Sequence, residues 1–226
     1  MTLTSPEIGK VSQKDPVAAV GDQRLDLGGA GLALYADAPL SAPGPGVEHA
    51  VVVIHGTLRN ADVYFAGMKE AKRMAGTAGA RTLVIAPQLL AKVDLETHGL
   101  LSSGLAYWSL DGWKHGALSE SAPAISSFAA IDRVLDHLAG GQIGHRYAVL
   151  GNADEKLAKL GIALTHIVAN PSAYLYLTPE RPAGGGFAVP DAGVCPDYDV
   201  YKYGLARLPA HFGTDLAELR TRYATR

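Results

Sequence analysis

Apolar runs of strand length alternate with helical patterns from about residue 47 onward, and this alternation limits the folds open to the chain. The run HAVVVIHG is β-branched and ends in glycine, which is typical of a strand buried on both faces. A helical pattern follows with Asn60 placed as its N-cap, and RTLVIAPQ indicates a second buried strand that ends at Pro87. This order predicts an α/β fold whose sheet is mostly parallel and doubly wound.

Other segments extend this prediction on both sides of the strand-helix-strand unit. LDLGGAGLALYADAPL predicts an antiparallel edge hairpin, an apolar stripe over 124–138 predicts a helix, and THIVANPSAYLYL predicts a further strand. The long loop over 89–123 contains both tryptophans, within YWSLDGWKHG. We expect this loop to be structured and to form one wall of a binding site. The predicted organisation is an N-terminal tail, 1–24, and one domain, 25–226, because 226 residues suffice for one sizeable core.

Composition excludes several classes of partner. The chain has 20 Lys and Arg against 22 Asp and Glu, which gives a net charge of -2. It therefore lacks the excess of positive charge that binding to a nucleic acid or an anionic membrane requires. The first fifteen residues lack the apolar segment of a signal peptide, and the apolar run AVVVI is far short of a bilayer span. We expect a small, roughly neutral molecule as the partner, while compartment and oligomeric state stay open.

The segment VVVIHGTLRNADVYF is the most informative for function. His55 and Gly56 stand at the carboxyl end of a predicted strand, before a turn whose backbone N–H groups are free. Such a turn is a place where an oxyanion can be held. A His-Gly pair also ends strands that have no such role, so the pair alone leaves both interpretations open.

Seven blocks in collinear order resemble a family of α/β-hydrolase-fold proteins with an HGTLRNA-type oxyanion segment. The blocks read VVVIHGTLRNADVYF, IAPQ, YWSLDGWKHG, SSFAAIDRVLDHL, GGQIGHRYAV, IVANPSAYLYL and CPDYDVYKYGLARLP, and the resemblance as a whole extends from about Leu25 to Arg222. The resemblance implies a sheet of α/β-hydrolase type and an ester or acyl-bond hydrolase lineage without a cofactor. It also implies that the backbone N–H groups of Thr57 and Ala139 hold the oxyanion beside His55 and Gly56.

The chain departs from the family at the nucleophile. The family has a strand and then Gly-His-Ser-Ala before the block GGQ, the elbow that exposes the serine. Here residues 137–141 fall on His-Ser-Ala-Gly-Gly, so that Leu138 stands at the serine position, and nothing β-branched lies between Val134 and Gly140. A deletion that removed the strand and fused two helices explains both facts. It predicts a helical segment over 124–150, bent at most at the glycines, and pairing of Ala50–Ile54 with Thr165–Ala169.

The rest of the catalytic triad is also not found in the sequence. In such hydrolases the acid and the histidine follow the nucleophile in the chain, and here both would lie beyond Arg226. We therefore expect a sheet that lacks one central strand and the C-terminal strands, and a chain with no catalytic residue and no esterase activity. The alternative is a non-catalytic or degenerate homologue that binds a small molecule near Trp108, Trp113 and Tyr174.

Cysteine and serine side chains elsewhere in the chain could in principle replace the missing serine. Cys195, the only cysteine, lies in GVCPD, but Pro196 after it has no backbone N–H to donate to an oxyanion. A small buried or loop cysteine is therefore the favoured interpretation. Ser102 and Ser103 follow no strand, which favours surface hydroxyls.

Metal and nucleotide sites have little support in the sequence. The side chains of Asp94, Glu96 and His98 would converge on a metal only if that segment were extended, and solvated side chains are commoner. His137 and His145 would lie about 12 Å apart along a helix axis, too far to share an ion. GGAGLA lacks the spacing of a dinucleotide fingerprint. We predict neither a metal nor a cofactor.

Overall fold

The computed structural model describes residues 12–41, 46–138 and 178–200, together with residues 163, 165, 176, 204, 206, 207, 217 and 221. The chain forms two compact units, Met1–His145 and Arg146–Arg226. The elements of the first unit are β1 Gln23–Asp26, β2 Gly31–Ala36, β3 His49–Val52, α1 Ala61–Met74, α2 Gly76–Ala80, β4 Thr82–Pro87, α3 Lys92–Thr97, a 3₁₀ helix Gly112–His115 and α4 Ser127–Leu138. None of the described helices is long and apolar enough to span a membrane.

The four strands of the first unit form one sheet in the order β1-β2-β4-β3. The predicted hairpin is confirmed: β1 pairs antiparallel with β2, and Gly28 and Gly29 adopt positive φ in the turn while Asp26 Oδ1 accepts both of their N–H groups. β2 pairs antiparallel with β4, with Leu34 opposite Pro87. Only β3 and β4 are parallel, with Val51 opposite Val84.

The predicted mostly parallel, doubly wound sheet of α/β-hydrolase type is therefore wrong for the described residues. The sheet there is mostly antiparallel and few helices accompany it. The reason is that a short glycine turn returns β2 beside β1, and β2 then contributes its other edge to β4. A helical crossover, which parallel pairing requires, connects only β3 to β4.

The two apolar runs of the strand-helix-strand unit differ in burial. β4 is buried from Leu83 to Pro87, as predicted, because it lies between β2 and β3. The prediction that β3 is buried on both faces is wrong, since His49 and Ala50 are exposed and residues 51–54 are only partly buried. Among the described strands, β3 lies at the edge of the sheet and has a partner on one side only.

The hydrophobic core lies on both faces of β2. Leu32 and Leu34 point to one face, where they pack with Ile85, Trp108 and other side chains, while Ala33 points to the opposite face, with Leu90, Leu95 and Leu105. The predicted helix is confirmed as far as Leu138; Ser126 Oγ accepts the N–H of Ala129 at its start, and Ala130 and Val134 pack onto the first cluster.

The described part of the second unit is a small hairpin and the turns after it. β5 Arg181–Ala183 pairs antiparallel with β6 Gly186–Ala188 around two glycines of positive φ. The Arg181 guanidinium lies over the rings of Tyr176 and Tyr198 and pairs with Asp199 at 2.9 Å. This arginine therefore connects the hairpin to the turn over 195–200.

Truncation of the core leucine in β2 tests this architecture. Leu34 is fully buried, so Leu34→Ala should lower the free energy of unfolding by about 2–5 kcal/mol through lost burial and a residual cavity. Urea denaturation followed by circular dichroism measures the change. Leu101→Ala is the matched control, because Leu101 is 51% exposed, and its effect should be small. Equal effects of the two changes would contradict the placement of the core.

Candidate functional site

The turn that follows β3, residues 55–59, is the candidate site, and we call it the HGTLR turn. Arg59 N–H donates to Gly56 O at 3.0 Å and closes the turn, which leaves Thr57 exposed. The Thr57 hydroxyl donates to Gln13 Oε1 at 3.0 Å. Its backbone N–H donates no hydrogen bond to any other residue that the structure describes. The turn thus offers a free backbone donor at the surface, as an oxyanion site requires.

The His55 ring supports the turn from inside. His55 is buried, its Nε2 accepts the backbone N–H of Leu89 at 2.9 Å, and its Nδ1 lies 2.9 Å from Gly56 O. Because Leu89 can only donate, Nδ1 carries the proton and donates to Gly56. The ring also packs edge-on against Trp113, with 4.8 Å between centroids. Both nitrogens are therefore engaged in fixing the turn and are not available to a ligand.

Burial lowers the pKa of His55 to about 4, and this effect outweighs the Gly56 hydrogen bond, which acts in the opposite direction. The charge of Arg59 lowers the pKa further, while the opposite charge of its partner Asp94 raises it. The imidazole is therefore neutral at neutral pH. It stabilises the fold in that form and supplies no proton there.

A buried ion pair fixes the other end of the turn. Arg59 adopts a left-handed backbone, with φ of 58°, and its guanidinium makes a bidentate pair with Asp94 at 2.7 and 3.0 Å. Both side chains are fully buried. The guanidinium also donates to the carbonyls of Gln13 at 2.7 Å and Asp15 at 2.9 Å. This pair therefore connects the turn to α3 and to the N-terminal segment.

The Asp94 carboxylate is saturated with donors. It accepts the backbone N–H of Val17 at 2.9 Å and of Ala91 at 2.7 Å in addition to Arg59. Glu96 is exposed, and His98 Nε2 lies 2.9 Å from Val17 O. The three side chains that alternate in the sequence therefore have different surroundings. Within the described residues, no cluster of three or more His, Cys, Asp or Glu side chains is arranged to hold a metal.

Gln88, directly after β4, holds the same N-terminal segment. Its amide nitrogen donates to Ala19 O at 3.0 Å and to Arg59 O at 2.9 Å, and its Oε1 accepts from Gly21 N–H at 2.9 Å. Gln88 is fully buried. Residues 13–21 are thus anchored to the back of the HGTLR turn.

The tryptophan segment reaches the turn through the N-terminal segment. Gln13 Oε1 accepts from Thr57 Oγ1 and, at 3.3 Å, from Lys114 Nζ, which also pairs with Asp111 at 2.7 Å. Since Trp113 packs on His55, the two segments that the sequence analysis singled out meet at this point. The tertiary fold thus brings HGTLR and DGWKHG together.

The two tryptophans of the expected site wall are both buried. Trp108 is fully buried and donates to Ile125 O at 3.2 Å, and Trp113 is 6% exposed. Trp108 also lines an open groove of about 540 Å³, to which Lys14, Lys92, Asp111 and Glu120 contribute charged side chains. This groove contains both signs of charge beside the apolar Trp108. Tyr174, the third residue of the expected wall, lies outside the described residues.

The nucleophile position is helical. His137 and Leu138 are the last two residues of α4, so the backbone up to Leu138 forms neither a strand nor a strand-to-helix turn. Ala139 and His145 lie outside the described residues, as do the remainder of the predicted 124–150 helical segment and the pairing of β3 with Thr165–Ala169.

The other candidate nucleophiles lie in turns. Cys195 is exposed, and its N–H donates to Asp191 O at 2.9 Å. Ser103 Oγ donates to Leu100 O at 2.6 Å, so this hydroxyl closes a local turn, and Ser102 is exposed. Neither segment directly follows a described strand, since Cys195 lies seven residues after the end of β6 and Ser103 follows α3.

Sequence reasoning missed the residues that position the turn, namely Arg59, Gln88 and Gln13. Arg59 and Asp94 are 35 residues apart, and no local periodicity relates them. A polar Gln88 directly after a buried strand is a signal for a buried hydrogen-bonding role. The sequence contains no comparable signal for Gln13.

No family model, curated protein or solved structure matches the chain. The function proposed below is therefore based on the residues of the chain and on the contacts of the HGTLR turn.

Removal of the Asp94 charge should destabilise the chain strongly. Asp94→Asn leaves the buried Arg59 guanidinium without a counter-charge, and we expect the free energy of unfolding to fall by about 3–5 kcal/mol. Glu70→Gln removes the charge from an exposed pair with Arg73 and should leave the free energy of unfolding almost unchanged. Urea denaturation of both variants measures the difference. A small effect of Asp94→Asn would show that the pair does not hold the turn.

The buried His55 should make the fold sensitive to acid. In the unfolded chain histidine titrates near its ordinary value of 6.5, so protonation favours unfolding as the pH falls from about 6.5 to about 4. Between about pH 7 and about pH 5 the lost stability should be about 2 kcal/mol.

Urea denaturation at both pH values measures this loss. In His55→Gln the loss of stability between the two pH values should be smaller by about 2 kcal/mol. His49→Gln, a change at an exposed position, should lose as much stability as the wild type. An unchanged pH dependence in His55→Gln would disprove the buried neutral imidazole.

Proposed function

We propose that this chain derives from the ester and acyl-bond hydrolases that carry an HGTLRNA-type oxyanion segment, and that it does not itself turn over esters. The observation that supports the proposed lineage is the HGTLR turn. Its Thr57 N–H has no described partner, and the buried side chains of Arg59 and His55 hold the turn in place. Donors held in advance by buried groups are what an oxyanion site needs, because no reorganisation accompanies binding.

The absence of turnover follows from the nucleophile position. A leucine side chain has no atom that can attack a carbonyl carbon, and Leu138 is the last residue of α4. A serine hydrolase that loses its nucleophile retains only the effect of its oxyanion and binding groups. That residual enhancement is about 10³ to 10⁴ over water, which a routine esterase assay does not detect.

A second candidate function is binding of a small molecule without turnover. The groove beside Trp108 favours it, because its volume of about 540 Å³ lies within the range of small-molecule sites. Lys14 and Lys92 supply positive charge there, and Asp111 and Glu120 supply negative charge. A ligand with both a polar group and an apolar part fits this lining.

Active-site labelling tests the proposal on the full chain. We expect no serine to react with a fluorophosphonate probe and no stoichiometric burst with an activated acyl ester, and an intact serine esterase assayed in parallel serves as the positive control. Intact-protein mass spectrometry and product absorbance are the two readouts. Labelling of one serine, abolished by its change to alanine, would overturn the non-catalytic proposal, and so would acylation of Cys195.

A further inference from the structure

Tyr64, which the sequence analysis did not single out, lies against the HGTLR turn. It is the fourth residue of α1, and helical side chains point back toward the helix N-terminus. A methyl group placed on Gly56 would lie 2.7 Å from Tyr64 Oη but 3.6 Å from Cζ. The absence of a side chain at Gly56 therefore leaves the space that the phenol hydroxyl occupies. Tyr64 is 38% exposed, so the residue lies at the surface beside the turn.

The Tyr64 hydroxyl and the Thr57 N–H belong to the same small region. Covalent geometry places the Thr57 nitrogen about 2.4 Å from Gly56 Cα, and Tyr64 Oη lies 2.7 Å from the position that a Cβ on this Cα would take. Neither group donates to another described residue. The other polar side chains of the turn are engaged, since the Thr57 hydroxyl bonds Gln13 and both His55 nitrogens have partners.

We infer that Tyr64 O–H and Thr57 N–H together bind one oxygen of an acyl compound, a carboxylate or an ester carbonyl. Both groups are donors, so the ligand atom must be an acceptor. The assignment rests on the proposed function, which identifies the turn as an oxyanion segment. Tyr64 adds a side-chain donor to the backbone donor of the turn. Glycine at position 56 is necessary for this donor, because any Cβ there displaces the Tyr64 hydroxyl.

Titration of the ¹⁵N-labelled full chain with butyrate, at constant ionic strength maintained with chloride, tests the inference. We expect a saturable shift of the Thr57 amide resonance. Tyr64→Phe should weaken butyrate binding about tenfold, the value of one hydrogen bond to a charged acceptor. Gly56→Ala should weaken it similarly by displacing the hydroxyl. In the double variant no further loss is expected, since only an ordinary contact with Cζ remains.

Tyr107→Phe is the matched control, because Tyr107 packs against the second core cluster. Its butyrate affinity should equal that of the wild type. Circular dichroism shows which variants fold, and Gly56→Ala decides the question if Tyr64→Phe does not fold. A Thr57 amide that does not shift, an equal shift with chloride alone, or unchanged affinity in both Tyr64→Phe and Gly56→Ala would overturn the inference. Fluorophosphonate labelling of a serine would refute the non-catalytic proposal without changing the titration result.

Discussion

The buried ion pair between Arg59 and Asp94 is the interaction on which the candidate site depends. It joins the turn after β3 to α3, and the remaining donors of the guanidinium hold the N-terminal carbonyls of Gln13 and Asp15. Two charges without solvent are tolerated because the Asp94 carboxylate accepts four hydrogen bonds and the Arg59 guanidinium donates four. The left-handed backbone of Arg59 is held in place by these same contacts.

The site is rigid behind the HGTLR turn and open in front of it. His55 is neutral and bonded at both nitrogens, and Gln88 and Arg59 are fully buried, so the turn has little freedom to rearrange. In front, Thr57 and Tyr64 are exposed. This division suits the acyl-oxygen binding that we propose for the turn.

Prediction from the sequence succeeded where one local pattern decides the structure. Gly28 and Gly29 identified the hairpin turn, and the apolar stripe identified α4 as far as Leu138. It failed for the sheet, because a continuous β-branched run has the same appearance in a central strand and in β3, which has a described partner on one side only. It identified the HGTLR turn but attributed no packing role to His55, whose partner Leu89 is 34 residues away.

The sequence by itself determined the hairpin turn, the helix as far as Leu138 and the identity of residue 138, since glycine turns, apolar stripes and residue identity are local properties. Only the tertiary structure decided which strands pair and what the polar residues do. An aspartate such as Asp94 can bind a metal ion or pair with a basic side chain. In this fold it pairs with Arg59. Tyr64 became part of the site only because the fold places its hydroxyl against Gly56. Such contacts depend on three-dimensional proximity, which spacing along the chain does not encode.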